Sequence, residues 1–223
     1  MRSHNYFVPG LFVLGAALFG SLLTETAQAE FTLVGYWNLD EGTGTTAADS
    51  ATPPGSDGTL EPSPNTPTWT TGYLNGGLSF DGGSATTGDR VTMPDSDELD
   101  ITGDLTLDFW MKPVGNSAQR YGHLVGKNMS GGSSNDGYFL DIVYTTGVLN
   151  ETGIPKGTLE FGITSGDVIT VLRSDTALAT DTSNETWYHV RAEYVAGTRM
   201  SIYLDGVLDS EMTTGVPAAC DSA

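Results

Sequence analysis

The clearest pattern in the chain is an alternation of apolar and polar residues between Trp187 and Gly206. In its first half, every second residue is apolar or aromatic: Tyr188, Val190, Ala192 and Tyr194. A second run follows the loop that contains Gly197 and repeats the pattern with Met200, Ile202 and Leu204. Such alternation is typical of half-buried strands, and a glycine between two runs favours a hairpin. Because one side of this hairpin is apolar, a second sheet must cover it.

Similar runs are found along most of the chain. Leu105, Leu107, Phe109 and Met111 alternate with polar residues up to Pro113, whereas Tyr138 to Tyr144 is apolar enough for burial on both faces. Shorter runs predict strands at 33–39, 77–80, 90–93, 123–127, 159–163 and 168–172, the last two joined by a tight turn at Ser165-Gly166. Residues 44–68 are polar and broken, which predicts a loop outside the core. About eleven short strands predict an all-β, two-sheet antiparallel β-sandwich of the jelly-roll type.

Residues 1–29 have the pattern of a secretory signal peptide. Arg2 precedes an apolar run from Phe7 to Leu23, and Ala27-Gln28-Ala29 matches the small-x-small cleavage pattern. A membrane anchor is the alternative, but the run is short and interrupted by Pro9 and glycines. We expect the mature protein to begin at Glu30, to form one domain over 30–223, and to be secreted or held at the cell surface without inserting into the membrane.

The charge balance excludes one class of partner. The chain carries 28 acidic residues against 9 Lys and Arg, a formal net charge of −19. Nucleic acid is not expected to bind, because its phosphates need cations. The single cysteine, Cys220, has no internal partner for a disulfide. It is therefore free, joined to another molecule by an intermolecular disulfide, or separated from a partner further along a longer chain.

Several blocks, taken in order, resemble the laminin-G-like jelly-roll domains of the concanavalin A-like lectin and glucanase superfamily. Together they extend over nearly all of residues 31–210. The blocks are Val34–Gly42, Gly76–Gly82, Leu99–Ile101, Leu105–Pro113, Val125–Lys127, Gly137–Tyr138, Trp187–Val190 and Tyr203–Gly206.

The resemblance implies two curved antiparallel sheets, secretion and, commonly, glycan binding or adhesion, often with a structural calcium ion. It does not imply catalysis. The family continues after the Tyr-Leu-Asp-Gly block with two more strands, and we recognise neither after Gly206. We therefore expect 30–223 to lack the last strands of the domain and the chain to be a fragment of a longer protein.

Five carboxylates at loop ends are candidate ligands for calcium: Asp40, Glu41, Asp49, Asp57 and Asp81. Calcium takes oxygen ligands, which loops supply through side chains and carbonyl groups. The alternative is that these acidic residues simply favour turns.

A sugar-binding face is the next candidate, since aromatic rings offer flat apolar surface and carboxylates accept hydroxyl hydrogen bonds. The polar sides of the predicted strands carry Asp108, Trp110, Asp141, Glu160, Trp187, His189, Arg191 and Tyr203. The alternative is that Trp110 and Trp187 are packed in the interior.

An enzymatic function is disfavoured. Glu98-Leu99-Asp100-Ile101-Thr102 is similar to the catalytic strand of β-glucanases, but the final glutamate of that motif is missing. The sequence therefore predicts a non-catalytic secreted carbohydrate-binding or adhesion module whose partner is a glycan or an extracellular protein. The alternatives are a glycan hydrolase or lyase of the same fold, and a purely structural domain of a surface protein.

Overall fold

The structure is a computed structural model that describes residues 32–51, 55–61, 66–81, 88–114, 121–127, 137–144, 153–180, 183 and 185–221. The predicted signal peptide lies outside the described residues. Within these ranges, no helix is long and apolar enough to cross a membrane. The only helical element in them is a single 3₁₀ turn, Asp97–Leu99.

Strands make up nearly all of the regular structure in the described ranges. In chain order they are β1 (Thr46–Ala47), β2 (Gly58–Glu61), β3 (Thr68–Thr71), β4 (Gly76–Ser79), β5 (Arg90–Thr92), β6 (Leu105–Met111), β7 (Tyr121–Gly126), β8 (Tyr138–Val143), β9 (Leu159–Ser165), β10 (Val168–Arg173), β11 (Tyr188–Val195), β12 (Arg199–Leu204) and β13 (Val207–Met212). The hairpin predicted from the alternation of Trp187 to Gly206 is β11–β12, and its register pairs Tyr194 with Met200.

Two four-stranded antiparallel sheets form the sandwich. The first sheet has the order β13-β12-β11-β6, and the second sheet has the order β10-β9-β8-β7. Both contribute buried side chains to one core. From the first sheet come Leu105, Val190, Ala192, Tyr194, Met200 and Ile202, and from the second Leu140, Ile142, Leu159, Phe161, Ile163 and Leu172. This arrangement confirms the predicted all-β sandwich, because the core residues are those that the period-two pattern assigned to one face.

The N-terminal part corrects two expectations. Leu33 to Leu39 does not form a strand and makes one isolated bridge, from Trp37 to Asp49. Its backbone is bonded to the following loop instead: the Tyr36 N–H donates to Asp49 Oδ1 and the Tyr36 carbonyl accepts from Ser50. The 44–68 segment is not merely a loop, because β1 and β2 bury Ala47 and Leu60 completely or nearly so.

A strand also follows Gly206, contrary to expectation. Strand β13 pairs with β12 through a bulge after Ile202. Its sequence does not alternate between apolar and polar residues, which is why no strand was predicted here. It has two exposed apolar residues, Val207 and Leu208, followed by the polar Asp209, Ser210 and Glu211. Where the domain ends stays a prediction.

The structure argues against an intermolecular disulfide through Cys220. This residue forms no disulfide within the described part of the chain, only 2% of its surface is exposed, and its thiol donates to the Gly137 carbonyl at 3.0 Å. The backbone N–H of Cys220 donates to the Thr102 carbonyl. A partner molecule could reach the sulfur only after this segment had left the core.

The buried Tyr194 predicts a loss of stability in alkali. Its hydroxyl donates to the Pro217 carbonyl at 2.7 Å, and burial, with Cys220 and Asp104 nearby, raises the pKa of Tyr194 to about 12 from a usual 10.0. The Tyr194 phenol therefore ionises at a lower pH in the unfolded chain than in the folded protein. The contribution of Tyr194 to the free energy of unfolding is complete below pH 10 and is lost as the pH rises toward 12.

We expect Tyr194→Phe to weaken this alkaline dependence and to cost about 1 kcal/mol at pH 7 through the lost hydrogen bond. Urea unfolding at pH 7 and pH 11 measures both effects. An unchanged stability difference between the two pH values in the variant would contradict the assignment.

Candidate functional site

The outer face of the first sheet brings six of the predicted site residues together. Strand β6 presents Asp108 and Trp110 outward because Leu107 and Phe109 pack against the core. The register places Trp110 opposite His189, Asp108 opposite Arg191, and Arg191 opposite Tyr203. Trp187 directly precedes β11.

An aromatic cluster occupies one end of this face, and we define it as Tyr73, Trp110, Trp187 and His189. The Tyr73 ring is stacked on the Trp110 ring, with centroids 3.6 Å apart and planes at 10°. Trp187 lies 6.1 Å from Tyr73 at 56°, and His189 lies 5.0 Å from Trp110. Tyr73 is the exposed ring of this cluster, whereas Trp110, Trp187 and His189 are half-buried.

Tyr73 was not predicted from the sequence. It lies in the tight turn between β3 and β4, where the Gly72 N–H donates to the Asn75 carbonyl and Asn75 adopts a φ of 59°. Tyr73 is 48% exposed and the adjacent Leu74 is 37% exposed. A tyrosine and a leucine at the tip of a turn already indicate that the turn packs against another surface or binds a partner. Only the tertiary structure shows that Tyr73 packs on Trp110.

Charged side chains border the aromatic cluster and are themselves paired. His189 Nε2 lies 2.8 Å from Asp108 Oδ1. Lys112 Nζ bonds to Glu185 at 2.9 Å and lies 5.6 Å from the centroid of the Trp187 ring. Further along the face, the Arg191 guanidinium lies over Tyr203 at 5.9 Å and pairs with Glu193. The arrangement offers flat apolar surface next to hydrogen-bond donors and acceptors.

Asp141 and Glu160 do not belong to this face. They are opposite each other on the adjacent strands β8 and β9. Because the apolar residues of these strands face the core, the two carboxylate side chains lie on the outer face of the second sheet, on the other side of the sandwich from the aromatic cluster. The eight predicted ligand residues therefore cannot form one site. The alternation of side chains at every second residue defines the two faces of each strand, but it does not predict which strands belong to the same sheet.

These two carboxylates form the middle of a four-residue row across the second sheet. His123 is opposite Asp141 on β7, and Arg173 is opposite Glu160 on β10. His123 Nδ1 lies 2.8 Å from Asp141 Oδ1, and Arg173 Nε lies 2.7 Å from Glu160 Oε1. The carboxylate side chains are 7% and 5% exposed, which indicates a structural ion-pair row rather than an open ligand surface.

The predicted calcium residues do not converge on one point. Glu41 accepts from the Ala48 N–H, Asp57 accepts from the Asp49 N–H, and Asp81 donates its own N–H to Asp89. Asp49 Oδ1 accepts from the backbone of Tyr36 and Ala51. These contacts are those of turn-forming acidic residues.

The carboxylate oxygen Asp49 Oδ2 has no hydrogen-bond partner among the described residues. Asp49 Oδ2 is buried and, with the Val34 carbonyl, borders the space that a side chain at Gly55 would fill. Calcium needs six to eight oxygens, and the described residues contain no group of three His, Cys, Asp or Glu placed to hold a metal. Asp40, Glu41, Asp49, Asp57 and Asp81 thus do not fit one ion, and calcium binding stays a prediction.

The segment that is similar to a glucanase strand is held by a buried lysine. Lys127 Nζ bonds to Asp100 at 2.8 Å and also to Asp95, on the two sides of the 3₁₀ turn. Burial acts to lower the pKa of Lys127, but the two carboxylates outweigh it and the pKa is raised. Asp100 thus anchors the turn to the end of β7, and Glu98 is exposed.

Comparison with known proteins agrees with this architecture. Residues 81–222 match a laminin G family model described as the concanavalin A-like lectin/glucanases superfamily. No curated protein matches the chain. Two solved structures are similar in outline: one from work on botulinum neurotoxin type C, whose cell entry depends upon interaction with two ganglioside molecules, and the binding domain of botulinum neurotoxin DC in complex with rat synaptotagmin II.

These two likenesses are distant. The sequence identities are 14% and 13% and the TM-scores 0.46 and 0.47. They cover 82% and 83% of this chain but only 42% of each neurotoxin chain. The family match extends over more than half of the sequence and agrees with the two-sheet sandwich and its single core. The chain therefore belongs to the concanavalin A-like lectin and glucanase superfamily.

Proposed function

We propose that the protein is a non-catalytic, secreted module that binds a neutral oligosaccharide through the aromatic cluster on the outer face of the first sheet. The observation that carries the proposal is the stack of Tyr73 on Trp110, at 3.6 Å, with about half of the Tyr73 surface exposed to solvent. A tyrosine held flat by an underlying tryptophan is a rigid platform, so little conformational entropy is lost when a ligand covers it.

The chemistry around the platform suits a saccharide. The apolar face of a sugar ring can pack on Tyr73 and Trp187, while its hydroxyl groups exchange hydrogen bonds with the Lys112–Glu185 pair and with Asp108. Polyanionic glycans are disfavoured, because a net charge of −19 repels them over a distance of about 10 Å at 0.1 M salt. A neutral oligosaccharide therefore fits better than a sulfated one.

A hydrolase is the second candidate, and one observation favours it. Asp141 and Glu160 are neighbouring carboxylates on a sheet face, which is the kind of pair that glycoside hydrolysis uses. Both are recessed and bonded to His123 and Arg173, so a structural role accounts for them without a substrate. Sugar release by the wild type that is lost in Asp141→Asn would support the hydrolase and overturn the non-catalytic assignment.

The test of binding uses the purified mature protein and a panel of neutral hexose and N-acetylhexosamine oligosaccharides, with sialylated oligosaccharides for comparison. We expect at least one neutral oligosaccharide to bind, and Tyr73→Ala to weaken that binding by about tenfold or more, because tenfold corresponds to about 1.4 kcal/mol of lost contact. Titration calorimetry measures the affinity.

Phe80→Ala is the matched control. Phe80 is also an exposed aromatic residue, at 49%, but it follows β4 at the opposite end of the same hairpin. The control should keep its affinity within about twofold, since it removes a similar exposed ring away from Trp110. A panel without any binder would favour the purely structural alternative, and equal losses in the two variants would place the ligand elsewhere.

A further inference from the structure

A pocket lies where the edges of the two sheets meet, away from the aromatic cluster. The edge strands are β10 in the second sheet and β13 in the first. The chain that leaves β10 is tied to β13 by Asp209, whose carboxylate accepts from the backbone N–H groups of Asp175 and Thr176 at 2.8 and 3.2 Å. Together with the start of β11 and the end of β12, these segments border an open pocket of about 420 Å³.

The inner surface of this pocket is apolar. Tyr188 and Leu204 line it and also pack against the core. Val207 and Leu208, on the wall next to the Asp205-Gly206 turn, are 70% and 48% exposed. Exposed apolar side chains that adjoin an apolar pocket add to the surface that a partner can cover.

The remaining lining is acidic. Asp175, Asp205 and Asp209 all border the cavity, and no lysine, arginine or histidine is among its lining residues in the described part of the chain. Asp205 Oδ1 accepts from the His189 backbone and Asp209 from Asp175, so the carboxylates are held in place by the fold. An apolar interior bordered by fixed negative charge selects an occupant that is apolar along its length and cationic at its end.

We propose that this pocket binds a lysine or arginine side chain presented by a basic segment of a protein partner. Such a side chain can lay its methylene stem on Tyr188 and Leu204 and place its charged end near the carboxylates. The net charge of −19 steers a basic partner toward the protein. The volume lies within the range of about 300 to 1,000 Å³ that is usual for ligand sites.

This site is independent of the proposed oligosaccharide site. Tyr188 and Leu204 face the core side of the first sheet, whereas their neighbours His189 and Tyr203 face outward. The two sites approach each other only where Asp205 accepts from the His189 backbone, and Asp175 and Val207 are not members of the aromatic cluster. Variants at Asp175 and Val207 therefore test the pocket, and the failure of either proposal does not decide the other.

The test is an NMR titration of the mature protein with an acetylated and amidated pentapeptide that contains two lysines, at low and physiological salt. We expect the largest amide shifts at residues 204–209. Asp175→Asn, which removes one charge from the pocket, and Val207→Ser, which removes apolar wall without changing charge, should each weaken binding by about fivefold or more. Asp97→Asn, an exposed carboxylate on the 3₁₀ turn, is the charge-matched control and should change the affinity less than twofold.

Each other outcome contradicts the proposal. Equal effects of Asp175→Asn and Asp97→Asn, or an unaffected Val207→Ser, would show diffuse attraction to an acidic protein. Equal binding of a peptide with norleucine in place of lysine would show an apolar occupant without charge selection. Shifts elsewhere, or none, would show that the pocket does not take a basic side chain.

Discussion

Replacing Gly157 by alanine should destabilise the protein by about 3 kcal/mol or more, because the site combines two separate costs. Gly157 adopts a φ of +93°, which L side chains rarely tolerate. In addition, an alanine Cβ would overlap the backbone carbonyl oxygen of Leu178 and lie 2.9 Å from its nitrogen. Backbone atoms cannot rotate aside as a side chain can, so the overlap must move the chain.

The movement would affect the core directly. The Gly157 N–H donates to the Val143 carbonyl at 2.7 Å, and its own carbonyl accepts from the Leu178 N–H at 3.0 Å. Leu178 is a buried core residue, so a shift at Gly157 loosens the second sheet and the segment that follows β10 together.

Gly153→Ala separates the two costs. Gly153 also has a positive φ, +112°, but no atom of the described residues lies within 4 Å of the added Cβ. This control should lose only the conformational cost, about 1 to 2 kcal/mol. Guanidinium unfolding followed by tryptophan fluorescence measures both variants. Equal losses would mean that the contact with Leu178 is not tight.

Arg173→Ala is the second change for which we expect a large effect, about 2 to 3 kcal/mol. Glu160 and Asp141 are like charges directly opposite each other on neighbouring strands, an arrangement that is destabilising by itself. Arg173 Nε, 2.7 Å from Glu160 Oε1, offsets it. Without the guanidinium, a carboxylate that is 5% exposed loses its cation and keeps its like-charged neighbour. We place the effect below the usual cost of breaking a fully buried pair because Arg173 itself is 42% exposed.

A double variant and a matched control make this prediction specific. Arg173→Ala combined with Glu160→Gln should recover most of the loss, because the buried charge is removed with its partner. Arg90→Ala breaks a cross-strand pair with Glu61 whose side chains are 45% and 32% exposed, and it should cost about 1 kcal/mol or less. If the double variant were as unstable as the sum of its single variants, the ion-pair row would not be the cause.

Local alternation was enough to predict the sandwich, but not its edges. Strands β6, β8, β9, β11 and β12 each carry several large apolar residues at period two, so their faces could be assigned before any contact was known. Strands β1 and β13 are short or exposed, and β2 pairs on one side with β5, which is distant in sequence. The strand predicted from Leu33 to Leu39 is not formed, because the backbone hydrogen bonds of this segment go to a loop.

The candidate site was predictable only within one sheet. Asp108, Trp110, His189, Arg191 and Tyr203 share a face because β6, β11 and β12 are adjacent, and this adjacency is a property of the topology. Asp141 and Glu160 follow the same alternation on the opposite sheet. Tyr73 belongs to the site only through the packing of a hairpin turn onto Trp110, which no local pattern encodes.

The four indole N–H groups provide the most direct measurement of the central claim, that the aromatic cluster is the ligand site. Trp37 Nε1 donates to the Ser56 carbonyl at 3.0 Å and Trp69 Nε1 to the Gly44 carbonyl at 2.8 Å, so both serve as internal references. In an NMR titration with the tightest-binding neutral oligosaccharide of the panel, we expect the indole signals of Trp110 and Trp187 to shift and saturate together while those of Trp37 and Trp69 stay in place. Saturable binding that leaves the Trp110 and Trp187 signals unchanged would contradict the account.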